Sequence, residues 1–283
     1  MGQRDLIGHW DAGFRQFSII EDGADLLLVC PDAPPGYEGR LIPIPASPEC
    51  YSMRGGPFDG SEIVEADGTL SLGGEIALRR LDRPAAAPAG WGLHVEPLTL
   101  EPGESREFEQ LWNRMAHPSR PEGVGLDGHS VCRFVQWLTE RDYALFCGSH
   151  DGGLDVMQPE NWPKAHFGPS DRPVVYATRD GICSMFISVV DRAGADRVDH
   201  GVERFHRADG DRIDLYHFSS PRGNGYSPGV LYVLPRERFD PVPMYRGGPL
   251  SGEWTSTEPV RPLASVAVTP ADFPFLDSVG LVD

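Results

Sequence analysis

Glycine and proline punctuate this chain so densely that long regular elements have little room. There are 33 glycines and 27 prolines in 283 residues. Glycine opens backbone angles that other residues resist, and proline withholds a backbone donor. Such a sequence favours many turns and short strands over long helices. Proline-rich stretches over 31–35, 43–48 and 83–88 separate compact apolar runs in the first part of the chain. The run 24–30 reads as a buried strand, and 75–80 and 91–100 read as further strands. A β-rich N-terminal region is expected.

Helical periodicity emerges in three places. Ser105 is placed to cap a helix in which Phe108, Leu111, Trp112 and Met115 recur at i, i+3, i+4 and i+7. Ser130 stands in the same relation to Val131, Phe134, Val135 and Leu138. Asp180 precedes a shorter helix carrying Ile182, Phe186 and Val189. Strands are expected at 143–147, 174–178, 214–218, 230–234 and 263–268, and loops over a cleft at 159–173 and 221–228. A linker at 118–128 divides the chain into a β-rich region over 1–125 and a second domain over 126–283. The expected fold class is α+β.

The formal charge of −17 argues against nonspecific binding to nucleic acid or to an anionic membrane, since both require a positive face. Lys164 is the single lysine, an arginine bias of the kind that GC-rich bacterial genes impose. No N-terminal apolar run suggests a signal peptide, and no segment approaches the length of about 18 apolar residues that a membrane helix needs. A cytoplasmic protein is the expectation. The five cysteines (Cys30, Cys50, Cys132, Cys147 and Cys183) are odd in number and form no C-x-x-C, so neither a zinc site nor a disulfide framework is expected. His200 and His206, with Asp199 and Glu203, lack the helical H-E-x-x-H register of a metal site. The segments 54–60 and 246–252 echo each other as Arg-Gly-Gly-Pro and a later Gly. Because their flanks differ, they read as two similar tight turns.

Chemistry concentrates in three segments of the second half, in this order: 145–150 (Leu-Phe-Cys-Gly-Ser-His), 174–178 (Val-Val-Tyr-Ala-Thr) and 252–255 (Gly-Glu-Trp-Thr). Each reads as a strand end bearing a polar or aromatic group. Together they would set a carboxylate, Glu253, opposite a small polar loop and the face of Tyr176. A carboxylate beside a sugar stabilises the positive charge that builds on ribose as a glycosidic bond breaks, and an aromatic face orients a flat heterocycle.

The stretch from about Gly128 to Asp283 resembles the ADP-ribosyltransferase superfamily, in the branch shared by diphtheria-type toxins and poly(ADP-ribose) polymerases. The likeness rests on Phe146-Cys147-Gly148-Ser149, on Val175-Tyr176-Ala177-Thr178 leading into a helix, and on Glu253-Trp254. It implies a split β-sheet domain, NAD as substrate and no metal. ADP-ribose would pass to an acceptor that is a protein, a nucleic acid or a small molecule, or NAD would be hydrolysed. Glu253 would be the catalytic carboxylate. Tyr176 would stack on nicotinamide, with Phe186 closing the other side. Gly148 would admit the carboxamide to the backbone, and Ser149 would bond a ribose hydroxyl. Arg179 would contact the pyrophosphate or cap the surface.

The sequence departs from the family at Cys147, where the motif has histidine, and a thiol is a poor donor to a hydroxyl. Three readings stand open. His150 supplies the missing group, the ligand binds differently or is not NAD, or the cleft is degenerate and the domain only binds. Cys147 with His150 as base would form a nucleophilic pair, and Glu258 competes with Glu253 for the carboxylate role. The alternatives to transferase function are a non-catalytic binding module and a secondary-metabolism enzyme acting on another glycosidic substrate.

Overall fold

A computed structural model of the chain describes residues 6–11, 16–30, 38–45, 47–55, 60–66, 69–73, 76–83, 93–95, 97–116, 130–161, 172–191, 198–206, 212–243 and 250–282. The expected linker over 118–128 and most of the expected loop over 159–173 lie outside the described residues. Two compact units are present. The first comprises Met1–Glu96, Val202–His217 and Pro243–Pro249; the second comprises Pro97–Gly201, Phe218–Val242 and Leu250–Asp283.

In the first unit the short strands form a meander. They are β1 (Gly8–Asp11), β2 (Gln16–Asp22), β3 (Asp25–Val29), β4 (Gly39–Ile44), β5 (Ser47–Arg54), β6 (Glu62–Ala66), β7 (Thr69–Leu72), β8 (Ile76–Ala77) and β9 (Arg79–Leu81). All nine lie in one antiparallel sheet of order β8-β7-β6-β5-β4-β3-β2-β1-β9. β8 and β9 occupy opposite edges, yet only Leu78 separates them in the chain. The sheet therefore curls into a nearly closed barrel. At this seam the Leu78 N–H donates to Leu70 O at 2.8 Å.

Alternate residues point inward, as a period of two requires. Phe17 and Ile19, Leu26 and Leu28, Met53 and Ile63 join one buried apolar cluster. Burial of each such side chain contributes roughly 1.5–3 kcal/mol. Trp10 joins the same cluster, and its indole N–H donates to Leu6 O at 2.8 Å. Gly23 takes φ 64° in the two-residue turn from Asp22 to Asp25, an angle that costs glycine little.

Beyond the barrel come β10 (Leu93–Val95), α1 (Pro102–Met115), α2 (Val131–Arg141), β11 (Leu145–Ser149), β12 (Val175–Thr178), α3 (Gly181–Val189), β13 (Asp199–His206), β14 (Arg212–Pro221), β15 (Gly229–Leu234), β16 (Asp240–Pro243), β17 (Leu250–Ser256), β18 (Ala264–Val268) and β19 (Gly280–Val282). A small sheet of order β10-β14-β13 also carries β19, parallel to β14. The second unit is built on a six-stranded sheet of order β16-β17-β12-β11-β15-β18. In it β12 runs antiparallel to β11 and β17, and β15 antiparallel to β11 and β18.

The expected α+β class, with an ADP-ribosyltransferase-like C-terminal half, is overturned. Among the described residues the fold is mostly β, with 47% in strands, three α-helices and a barrel-like nine-stranded sheet. The physical reason lies in the connections. After α3 the described residues form no further α-helix, and β15, β17 and β18 pair with antiparallel neighbours instead of alternating with helices. The capping signals survive. Ser130 accepts the Arg133 N–H at 3.4 Å and Asp180 accepts the Cys183 N–H at 2.9 Å. Ser105 does not start its helix, because Pro102 occupies the first helical turn and begins it earlier.

Helix α3 is apolar nearly all round and almost wholly buried, as such a helix must be. It lies directly on β11 and β15 through two glycines. A Cβ on Gly148 would fall 2.3 Å from Ser184 O, and one on Gly229 would fall 1.9 Å from Ser188 O. The Ser188 hydroxyl, 3.0 Å from Val230 O, ties the helix to β15. Gly181 serves the same end against α2, where a Cβ would sit 2.2 Å from Val135 Cγ1. Gly229→Ala is expected to lower stability by about 1–3 kcal/mol. Gly103→Ala, at an open position on α1, is expected to be neutral or slightly stabilising. Urea unfolding of the two variants checks the contrast.

Candidate functional site

The candidate residues all belong to the second unit, on β11, β12, α3, β17 and the turns between them. Strand register sorts them into two faces. Tyr176 pairs with Thr255, and Thr178 pairs with Glu253. Alternation puts Tyr176, Thr178, Glu253 and Thr255 on one face, where Phe146, opposite Thr178, and Gly148 also point. Gly148 abuts α3, so this is the helix-bearing face. Cys147 and Ser149 point to the other face. There Cys147 packs against a cluster containing Val175, Ala177, Tyr232 and Trp254.

Tyr176 and Glu253 are thus diagonal neighbours on adjacent strands, a relation that spans about 7–8 Å between backbones and that long side chains bridge. The carboxylate oxygen Oε2 of Glu253 is shut off from solvent. The Tyr176 phenol is pushed up to about 12, first by burial and then by the negative charge of Glu253. Both causes disfavour a phenolate, so Tyr176 stays a neutral hydrogen-bond donor at physiological pH.

The remaining candidates take more structural places. The Gly148 surface that would admit a ligand is filled by α3. Ser149 Oγ accepts the Asp151 N–H at 3.0 Å, closing a local turn. The ring of Phe186 is fully buried, with Phe218 at 5.0 Å and Phe273 at 5.7 Å between centroids. His150 places Nε2 2.7 Å from Val190 O. A carbonyl only accepts, so Nε2 carries a proton, and Nδ1 lies 3.4 Å from the Ser227 hydroxyl. Glu258 is exposed at a turn in which its N–H donates to Ser256 Oγ at 3.2 Å. The Cys132 thiol is pushed up to about 11 by burial, which makes it a poor nucleophile.

Two residues of this region escaped the sequence. Asp142 caps α2 in the left-handed conformation, with φ 56°. Its carboxylate receives Arg179 Nε at 3.0 Å on Oδ1 and Arg236 Nη1 on Oδ2. Arg236 also lies over the Trp254 ring, 4.8 Å from its centroid. Asp142 had a detectable signal, since aspartate tolerates left-handed geometry at a helix end. Arg236 had none. The Tyr232 hydroxyl accepts the N–H groups of Gly153 and Leu154, each at 3.0 Å, and donates to Asp151 O at 2.7 Å. It thereby pins the loop after β11.

Among the described residues, no group of three His, Cys, Asp or Glu side chains is placed to hold a metal ion. No helix among them is long and apolar enough to cross a membrane, which leaves membrane β-barrels unaddressed. Comparison with known proteins finds no matching family model, no matching curated protein and no matching solved structure.

The Tyr176 environment makes a pH-dependent prediction. In the unfolded chain the phenol ionises near its ordinary value of 10, and in the fold only near 12. Between these values the unfolded state has released a proton that the folded state keeps, so stability falls as pH rises across that window. Denaturant midpoints measured over it should fall less steeply for Tyr176→Phe than for the parent. Spectrophotometric titration of Glu253→Gln should show one tyrosine ionising at lower pH.

Proposed function

We propose that the second unit binds a nicotinamide nucleotide and cleaves its nicotinamide–ribose bond, either transferring ADP-ribose to an acceptor or hydrolysing NAD. The observation that carries this reading is the diagonal placement of Glu253 and Tyr176 on one face of β17 and β12, close enough for the carboxylate charge to add to burial in raising the phenol. In this reading the Glu253 carboxylate orients the ribose hydroxyls and stabilises the positive charge that develops on the sugar. Tyr176 offers a flat face and a neutral hydroxyl to the departing nicotinamide. Function is argued from this site and not from the fold, which lends it no support.

A second reading, a binding module without chemistry, is favoured by a different observation. The side chains of Cys147 and Ser149 lie on the face opposite Tyr176 and Glu253, and Phe186 is spent in the core. A site with only two of its expected groups together can retain binding while losing turnover.

Calorimetric titration with NAD, with mass spectrometry of released nicotinamide, separates the two. The transferase or glycohydrolase reading expects release that falls by about a hundredfold or more in Glu253→Gln, with binding retained. Binding without release in the parent protein selects the binding module. Full turnover in Glu253→Gln removes Glu253 from the chemistry.

A further inference from the structure

Three turns meet at one end of the six-stranded sheet of the second unit. Asp142 lies just before β11, Arg179 follows β12, and Arg236 follows β15. One carboxylate here holds two guanidinium groups, so the cluster keeps one surplus positive charge in a chain whose formal charge is −17. Each arginine spends only part of its fork on Asp142, Nε for Arg179 and Nη1 for Arg236. Their side chains remain 41% and 39% exposed.

The groups are also held in place before any ligand arrives. Trp254, 7% exposed, lies beneath the Arg236 guanidinium. The Arg179 N–H donates to Gly252 O at 3.2 Å, which fixes its backbone beside β17. Asp142 is locked by its left-handed cap, and its N–H donates to Thr139 O at 3.2 Å. Two oriented guanidinium forks with unspent donors suit a tetrahedral oxyanion, which accepts from several N–H groups at once.

We infer that Arg179 and Arg236 form a phosphoryl-binding site at this sheet end. Asp142 acts as the positioning residue that holds the two forks side by side. Glu253 pairs with Thr178, the residue before Arg179, so the cluster lies at the strand end next to the carboxylate–tyrosine pair, with Arg236 over Trp254 on the opposite face of the sheet. On the nucleotide reading proposed above, its occupant is the diphosphate of the same ligand. The identity of the ligand rests on that reading, whereas the affinity for phosphoryl groups does not.

The test uses the full chain and inorganic pyrophosphate as probe, by calorimetry at low and moderate salt. The parent protein should bind it with an affinity that weakens as salt rises. Arg179→Gln and Arg236→Gln should each weaken binding by about tenfold or more, as loss of a charge-assisted contact does. Arg236→Lys should restore part of that loss, because it keeps the charge and loses the fork. Arg238→Gln removes an exposed charge from the same turn and should leave binding unchanged. Near-ultraviolet circular dichroism confirms that each variant keeps its tertiary structure.

No binding to the parent protein overturns the inference, and so does equal binding by both glutamine variants or an equal loss in Arg238→Gln. NAD turnover measured alongside keeps the two readings apart. Pyrophosphate binding without nicotinamide release leaves the phosphoryl site standing and removes the chemistry. Nicotinamide release without pyrophosphate binding does the reverse.

Discussion

The second unit depends on the approach of one buried helix to one sheet. Helix α3 can seat on β11 and β15 only because Gly148 and Gly229 present no side chain to it. That close approach brings the backbone of Ser188 against β15 and sets the depth at which Phe186 enters the core. It also fixes the N-terminus of the helix. Asp180, itself buried, caps α3, while the Gly181 N–H donates to Thr139 Oγ1 of α2 at 3.0 Å. The turn that carries Thr178, Arg179 and Asp180 is therefore held from several sides. The charged cluster around Asp142 inherits its geometry from that turn.

The same helix explains why a residue that suggests ligand access turns out to be structural. Glycine in a strand marks close approach by something, and sequence alone does not say by what. At Gly148 the approaching group is the backbone of α3. What the fold brings together is the Tyr176–Glu253 pair, set by strand register, and the arginine pair, carried on turns at the strand ends. Sites on rigid strands hold their geometry better than sites on loops.

The helices were largely legible. Polar caps at Ser130 and Asp180 and the i, i+3, i+4 spacing of apolar residues mark local physics, and Pro102 shifts only one boundary. Apolar runs such as those of β3 and β15 were also readable, β15 because it is buried on both faces and so reads as a continuous apolar stretch. The barrel was read as β-rich but not as a barrel. Strands such as β1, with Trp10 as its only large apolar residue, carry too little alternation to be recognised alone, and closure at Leu78 is a long-range event. The division of the candidate site was more accessible than it seemed. Cys147, Gly148 and Ser149 are consecutive, and consecutive strand residues cannot all turn their side chains to one cleft. Arg236 became visible only when β15 was placed beside β11.

The backbone passes from one unit to the other five times, at 96–97, 201–202, 217–218, 242–243 and 249–250. Three of these crossings fall inside strands, within β13, β14 and β16. No single scission then yields two intact halves. A truncation that ends after the barrel strands leaves behind the later segments that complete its unit, and one that begins at Pro97 carries pieces of the other unit with it. Genetic dissection of this chain will therefore report on damaged units unless the cuts respect the discontinuous boundaries.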